Sequence, residues 1–211
     1  MSHRTKGLYR ILERPAAYEF VQKMLGARGA RTRFVREFLR PFDGARLLDV
    51  GCGTASLLEY LPAGVDYTGF DMNPAYIAAA RKKYGDRGRF FVARAGEEGS
   101  GTTVDGPFDF VVAKGLLHHL GDDEAHALLA AARGWLREDG VFVSLDNACH
   151  SSQRRISRLL ISLDRGGSVR TPEAYRALAE AHFSRVESWL LTDMIPIPYD
   201  HFVMRAGARE A

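Results

Sequence analysis

The sequence predicts an α/β fold: a parallel sheet with helices on both faces. Three observations point to it. Short apolar runs alternate with longer amphipathic ones between residues 46 and 146, the pattern of repeated strand–helix–strand units. The first run, Leu47-Leu48-Asp49-Val50, passes directly into a tight Gly51-Cys52-Gly53 turn and then into Leu57-Leu58-Glu59-Tyr60-Leu61. The next run, Tyr67-Thr68-Gly69-Phe70-Asp71, closes on an acid about twenty residues further on.

Element by element, residues 1–40 read as helical. Tyr18, Phe20, Val21, Met24 and Leu25 share one face, and Phe34, Val35, Phe38 and Leu39 repeat the 3.6-residue period. Gly26 and Gly29 predict a break between two helices, and Pro41 ends the second. Strands follow at 46–50, 66–71, 89–93, 108–113 and 140–146, with helices at 54–61, 74–84 and 122–136. Asn73 is the expected cap of the second of these helices with Pro74 in its first position; Asp122 or Asp123 caps the third. After Asp146 the rhythm changes. An amphipathic helix is expected at 151–163, a glycine turn at 164–167, and a helix at 175–182 after Thr171-Pro172-Glu173. A strand is expected at 184–191 and a last strand at 201–205, after Ile195-Pro196-Ile197-Pro198. No repeat or low-complexity tract interrupts this order.

With 211 residues the chain makes one domain or one domain with a small cap. Its 46% hydrophobic and 26% charged residues are ordinary for a globular protein. A net charge of +3 is well short of a dedicated nucleic-acid binder. The charge is uneven, however. Arg28, Arg31, Arg33, Arg36 and Arg40 crowd one segment and Arg154, Arg155 and Arg158 another, either as solvated helix faces or as an anionic-ligand surface. Two cysteines, Cys52 and Cys149, suit free thiols in a reducing compartment. No apolar run reaches the roughly 18 residues of a membrane span, and no signal-peptide pattern opens the chain, so the cytoplasm is the expected location and no membrane contact is expected.

Glycine at 51 and 53 permits backbone angles closed to other residues and lets a ligand approach the main chain. The strand–loop–helix order puts that ligand at the carboxyl end of a strand, and the Asp71 carboxylate can accept two hydrogen bonds from a ribose diol. A dinucleotide fold wants a third glycine where Ser56 stands. The stretch resembles instead the glycine-rich motif of class I methyltransferases that use S-adenosylmethionine. The likeness runs from about Leu47 to Leu145. It takes in Phe108-Asp109-Phe110-Val111-Val112, the following Gly115-Leu116-Leu117-His118-His119-Leu120, and Leu136-Arg137-Glu138-Asp139-Gly140-Val141-Phe142-Val143.

That resemblance implies a Rossmann-like, seven-stranded, mostly parallel sheet whose last strand enters antiparallel between its neighbours. It also implies a helical lid over residues 1–41, a methyltransferase domain over 42–211, and a helical insertion near 150–182. S-adenosyl-L-methionine is the implied cofactor. Asp49, Gly51, Cys52 and Gly53 are the implied loop contacts, Asp49 either reaching the amino-acid part of the cofactor or accepting loop N–H groups. Asp71 is the implied ribose acid, and Met72 lies on the adenine face. The family often places an acid after strand three to meet the adenine amine. Here Arg94 stands in that run and cannot accept a hydrogen bond, which leaves the backbone at Ala95 and Gly96, or Glu97 or Glu98. Lys114 and Gly115 border the methionine end. Tyr18 either touches the cofactor's carboxylate end or packs within its helix.

His118 and His119 fall where the reactive methyl should emerge. A hydroxyl or amine acceptor must lose a proton, and histidine titrates in the useful range; the alternative is a structural histidine tucked under the loop. Asp146 and Asn147 at the end of strand five either orient a substrate or end the strand, and His150 is a weaker candidate of the same kind. His182 and His201 read as structural. Adjacent histidines without a third ligand do not make a zinc site.

The expected activity is methyl transfer to oxygen or nitrogen of a small-molecule acceptor, by a monomer or homodimer. Nucleic acid is not the expected partner: no appended module is present, and neither the Asn/Asp-Pro-Pro-Tyr element nor a catalytic cysteine pair occurs. Three alternatives remain. They are a structured-RNA methyltransferase using the arginine clusters, a cofactor-binding protein without catalysis, and, more distantly, a nicotinamide-linked reductase.

Overall fold

A computed structural model describes residues 27–94, 104, 106–162 and 167–207. Seven strands form one sheet: β1 (Arg46–Val50), β2 (Asp66–Asp71), β3 (Gly88–Val92), β4 (Phe108–Lys114), β5 (Leu136–Asn147), β6 (Arg185–Leu191) and β7 (His201–Gly207). Their order is β3-β2-β1-β4-β5-β7-β6, with β7 antiparallel to both of its neighbours and the other pairings parallel. The order reverses between β1 and β4, so a crevice opens at the carboxyl ends of those two strands.

Both faces of the sheet are covered, which is why its central strands are apolar without interruption. On one face α3 (Asp122–Trp135) and α5 (Pro172–Glu180) bury Leu128, Leu129, Tyr175 and Leu178 against Val111, Phe142 and Phe202. On the other, α1 (Ala27–Arg33), its π-helical continuation Phe34–Leu39 and α2 (Pro74–Tyr84) bury Phe34, Phe38, Leu39 and Ile77 against Leu47, Val112 and Val143. A further helix, α4 (Arg155–Ser162), lies beyond the end of β5.

Several boundaries differ from expectation, each for a local reason. The helix expected at 54–61 is one 3₁₀ turn, Ser56–Tyr60. Ala55 before it is left-handed at φ 56°, and Leu61 after it is extended, as a residue preceding proline must be. Gly29 does not break the N-terminal helix, because burial of Phe34, Val35, Phe38 and Leu39 holds the run together. The run ends at left-handed Arg40, whose N–H reaches the Val35 carbonyl at 2.8 Å, just before Pro41. Gly26 and the turn residues 164–166 lie outside the described residues. Asn73 caps α2 as expected, its side chain accepting the Ala75 N–H. Neither Asp122 nor Asp123 caps α3. Gly121 does, its N–H bonding Glu124 at 3.1 Å. Strand β5 starts at Leu136, four residues early, with an irregularity opposite Phe108 and Phe110. Gly140 is required there: a Cβ would sit 2.8 Å from the Phe108 carbonyl.

Candidate active site

The glycine turn has the geometry its sequence demands. Gly51 (φ 70°) and Gly53 (φ 56°) are left-handed, and a Cβ on Gly51 would lie 3.3 Å from Leu116. The N–H groups of Gly51 and Cys52 both donate to the Phe70 carbonyl, at 2.9 and 3.0 Å. Asp71 completes the turn. Its Oδ2 accepts the Gly53 N–H at 3.0 Å and its Oδ1 accepts the Asn73 N–H at 2.8 Å. One carboxylate therefore ties the loop after β1 to the start of α2, and each oxygen keeps a lone pair for a further donor. Burial raises its pKa, against the lowering effect of the two backbone donors.

Asp49 does not take the second of its two expected roles, acceptance of the loop N–H groups. The loop N–H groups at 51–53 go to Phe70 and Asp71, while buried Asp49 accepts the Tyr67 hydroxyl at 2.7 Å. Burial raises its pKa, opposed by that hydrogen bond and by Lys114. Tyr67 was not singled out in the sequence; its place one strand over, with the same facing as Asp49, is the signal that a strand register would have provided. Cys52 packs beside Gly69, where a Cβ would come within 3.0 Å of its Sγ, and burial pushes its thiol up. Met72 is 66% exposed.

These residues fit S-adenosylmethionine. A partly accessible carboxylate with free lone pairs suits a ribose diol. The space beside Gly53, empty within 4 Å of a built Cβ, leaves room for close approach to the main chain. Exposed Met72 offers an apolar surface next to the acid. Ala95, Gly96 and Tyr18 lie outside the described residues. Arg94 turns to Glu124 at 3.3 Å on α3.

The second part of the site stands at the ends of β4 and β5. Half-buried Lys114 ends β4, its pKa lowered by burial and by Arg31 and raised by Asp49 and Asp146. Gly115 turns away at φ 69°, its N–H donating to the Leu145 carbonyl at 2.7 Å. A 3₁₀ turn, Leu117–His119, then buries His118 and exposes His119, with the two rings 4.1 Å apart. His118 Nδ1 lies 2.8 Å from Asp146 Oδ1, and the His118 N–H donates to the same oxygen at 3.2 Å. The other carboxylate oxygen, Oδ2, is buried without a hydrogen-bond partner among the described residues. The structure thus brings His118 and Asp146 together and leaves His119 outside that pair.

Arg170 holds this turn in place, and nothing in the surrounding Ser168-Val169-Arg170-Thr171 run marked it. Its guanidinium donates to the carbonyls of Leu117 (2.9 Å), Leu120 (2.8 Å) and Ser168 (3.1 Å) and pairs with Asp122 at 2.7 Å. That pairing is what Asp122 does instead of capping α3. Ser168 adds an N–H bond to the His118 carbonyl at 3.0 Å. Beyond β5, Asn147 donates to the Tyr199 hydroxyl at 2.8 Å, and His150 Nε2 lies 3.2 Å from buried Asp200. His182 meets His126 at 3.0 Å, away from the site on α3 and past α5. Among the described residues, no three His, Cys, Asp or Glu side chains gather as a metal site.

Residues 48–142, a little under half of the chain, match a family described as a methyltransferase domain. No curated protein matches the sequence. Solved structures share the fold. A TehB-like SAM-dependent methyltransferase from Corynebacterium glutamicum aligns with TM-score 0.65 and 21% identity, over 92% of this chain and 98% of its own. Human N-acetylserotonin methyltransferase in complex with SAM gives TM-score 0.67 and 17% identity, over 92% of this chain but 55% of its own, so this chain spans about half of that enzyme. The 1,6-didemethyltoxoflavin-N1-methyltransferase of Burkholderia thailandensis gives TM-score 0.63 and 24% identity, over 86% and 77%.

Proposed function

We propose that this chain, whose residues 48–142 match a methyltransferase-domain family, is a class I S-adenosylmethionine-dependent methyltransferase that methylates oxygen or nitrogen of a small-molecule acceptor. The bound cofactor supplies an electrophilic methyl group on a sulfonium. In this reading Asp71 accepts the ribose hydroxyls, and the main chain at Gly51, Cys52 and Gly53, with Met72, Lys114 and Gly115, borders the rest. Asp49 acts at one remove, its carboxylate held by Tyr67 beneath the turn.

The observation that carries the choice of acceptor is the buried His118–Asp146 pair. With Asp146 accepting from Nδ1, the imidazole is held in the tautomer that leaves Nε2 as a proton acceptor. A hydroxyl or amine attacks a methyl group well only as it loses its proton, and a positioned base supplies that step. Arg170 is a positioning residue, fixing the turn on which His118 rides. Methyltransferases of the same fold that are named for N-acetylserotonin and for 1,6-didemethyltoxoflavin support a small-molecule acceptor.

Calorimetric titration with S-adenosylmethionine, S-adenosylhomocysteine and NAD, followed by a panel of hydroxyl and amine acceptors with radiolabelled methyl donor, tests this. Micromolar binding of the first two and label transfer that His118→Ala reduces about a hundredfold or more are expected. Cofactor binding with no transfer to any member of the panel would favour a binding protein without catalysis. NAD binding alone would overturn the assignment.

A further inference from the structure

Helix α4 buries polar side chains while two aliphatic ones face outward. Gln153, just before the helix, and Ser157, one turn on, are both buried, and Ile161 follows them on the same face. Gln153 Nε2 donates to Ser157 Oγ at 2.9 Å and to the Ala148 carbonyl at 3.2 Å, and Ser157 Oγ donates to buried Asp200 at 2.8 Å. His150 meets the same Asp200 oxygen at 3.2 Å. The outer side carries Ile156 and Leu159, 54% and 58% exposed and one turn apart. Rotating the helix to bury them would strand Gln153 and Ser157, leave Asp200 with His150 alone and expose Ile161, which together cost more than two half-exposed aliphatic side chains return. The outward aliphatics are therefore held in place by a hydrogen-bonded anchor.

Around them stand exposed Arg154, Arg155 and Arg158, and no acidic residue occurs between Asp146 and Asp164. We propose that this face of α4 docks the protein on an anionic lipid surface, with Ile156 and Leu159 entering the headgroup boundary and the three arginines on lipid phosphates. Two half-exposed aliphatic side chains offer little apolar area against the roughly 800 Å² per partner of a standard protein interface. It is enough for reversible attachment to a bilayer, which offers a continuous apolar layer under a plane of negative charge and needs no shape match. Among the described residues no helix is long and apolar enough to cross a membrane, so the contact is superficial. It lies past the carboxyl end of β5 and does not depend on the identity of the methyl acceptor.

Flotation of the full chain with vesicles tests it. Vesicles containing phosphatidylglycerol should carry the protein and vesicles of phosphatidylcholine alone should not, with binding weakened by salt. Ile156→Asp with Leu159→Asp should lower binding at least about tenfold. Arg154→Gln, Arg155→Gln and Arg158→Gln together should lower it about a hundredfold, at roughly fivefold per arginine. Both sets should keep the wild-type melting curve and S-adenosylhomocysteine affinity. Absence of binding to anionic vesicles, or binding that survives the double aspartate variant, overturns the proposal. Salt-dependent RNA binding that needs the arginines but ignores Ile156 and Leu159, without vesicle binding, would assign the cluster to nucleic acid instead.

Discussion

Where β1 and β2 end, the site is main chain plus one carboxylate, all drawn from residues 49–73. Where β4 and β5 end, it is side chains gathered from Lys114, His118, Asp146 and Arg170. The first half has little freedom, since left-handed glycines, strand ends and Asp71 bind one another through N–H groups every chain possesses. The second half depends on one guanidinium spanning three carbonyls and on a histidine buried against an acid. A main-chain cradle suits a ligand that stays the same, and a side-chain cluster suits one that differs from enzyme to enzyme.

The sharpest way to break this division is to compare Asp71→Ala with His118→Ala by titration with S-adenosylhomocysteine. Loss of two charge-assisted hydrogen bonds at Asp71 should weaken binding about a hundredfold. His118→Ala should leave affinity within about threefold. Equal losses would mean that the two halves are one site and not two.

His201, paired with Asn147 at the end of β5, and the two acids of the first half should respond oppositely to pH. Burial, with Lys114 nearby, lowers the pKa of His201 from 6.5 to about 4, while Asp200 and Asp146 pull the other way. As pH falls from 6.5 to about 4 the unfolded chain takes a proton that folded His201 refuses, so stability declines by up to about 3 kcal/mol. Burial raises Asp49 and Asp71, so the folded state keeps their protons longer and loses stability as pH rises through the carboxylate range. Denaturant melts of wild type and His201→Gln across acidic pH should show the decline toward low pH flatten in the variant. An unchanged profile would place the proton-sensitive group elsewhere.

Arg170→Ala should cost about 2 kcal/mol, roughly 4–8 °C in Tm, because the carbonyls of Leu117 and Leu120 lose the guanidinium that ties them together. Arg170→Lys should restore little, since an ammonium lacks the planar fork that reaches these carbonyls and Asp122 together. A wild-type melt for Arg170→Ala would show that the histidine turn stands on its own.

This division also explains what could be read in the chain without coordinates. The glycine turn, Asp71 and the Asn73-Pro74 start of α2 are local grammar, in which each residue answers to a neighbour within about twenty positions, so spacing was enough. The antiparallel last strand followed only from family resemblance. Tyr67 under Asp49 needed a strand register, and Arg170, 50 residues from Leu120, needed the whole tertiary fold. Asp122 was misread as a cap because helix grammar favours acids there, while the long-range pairing with Arg170 prevailed.

The smallest expected effect tests the main-chain half at its simplest point. Gly53→Ala meets no atom within 4 Å, so its cost is the left-handed backbone alone, about 1 kcal/mol of stability. Gly51→Ala bears the same backbone cost and also brings a Cβ to 3.3 Å from Leu116, the residue just ahead of the histidine turn. Gly51 is thus the point where the two halves touch. Its substitution should cost more stability than Gly53→Ala and should disturb both cofactor titration and methyl transfer, whereas Gly53→Ala should disturb the titration first. Identical melts and titrations for the two variants would show that Leu116 yields freely and that the halves are not coupled through it.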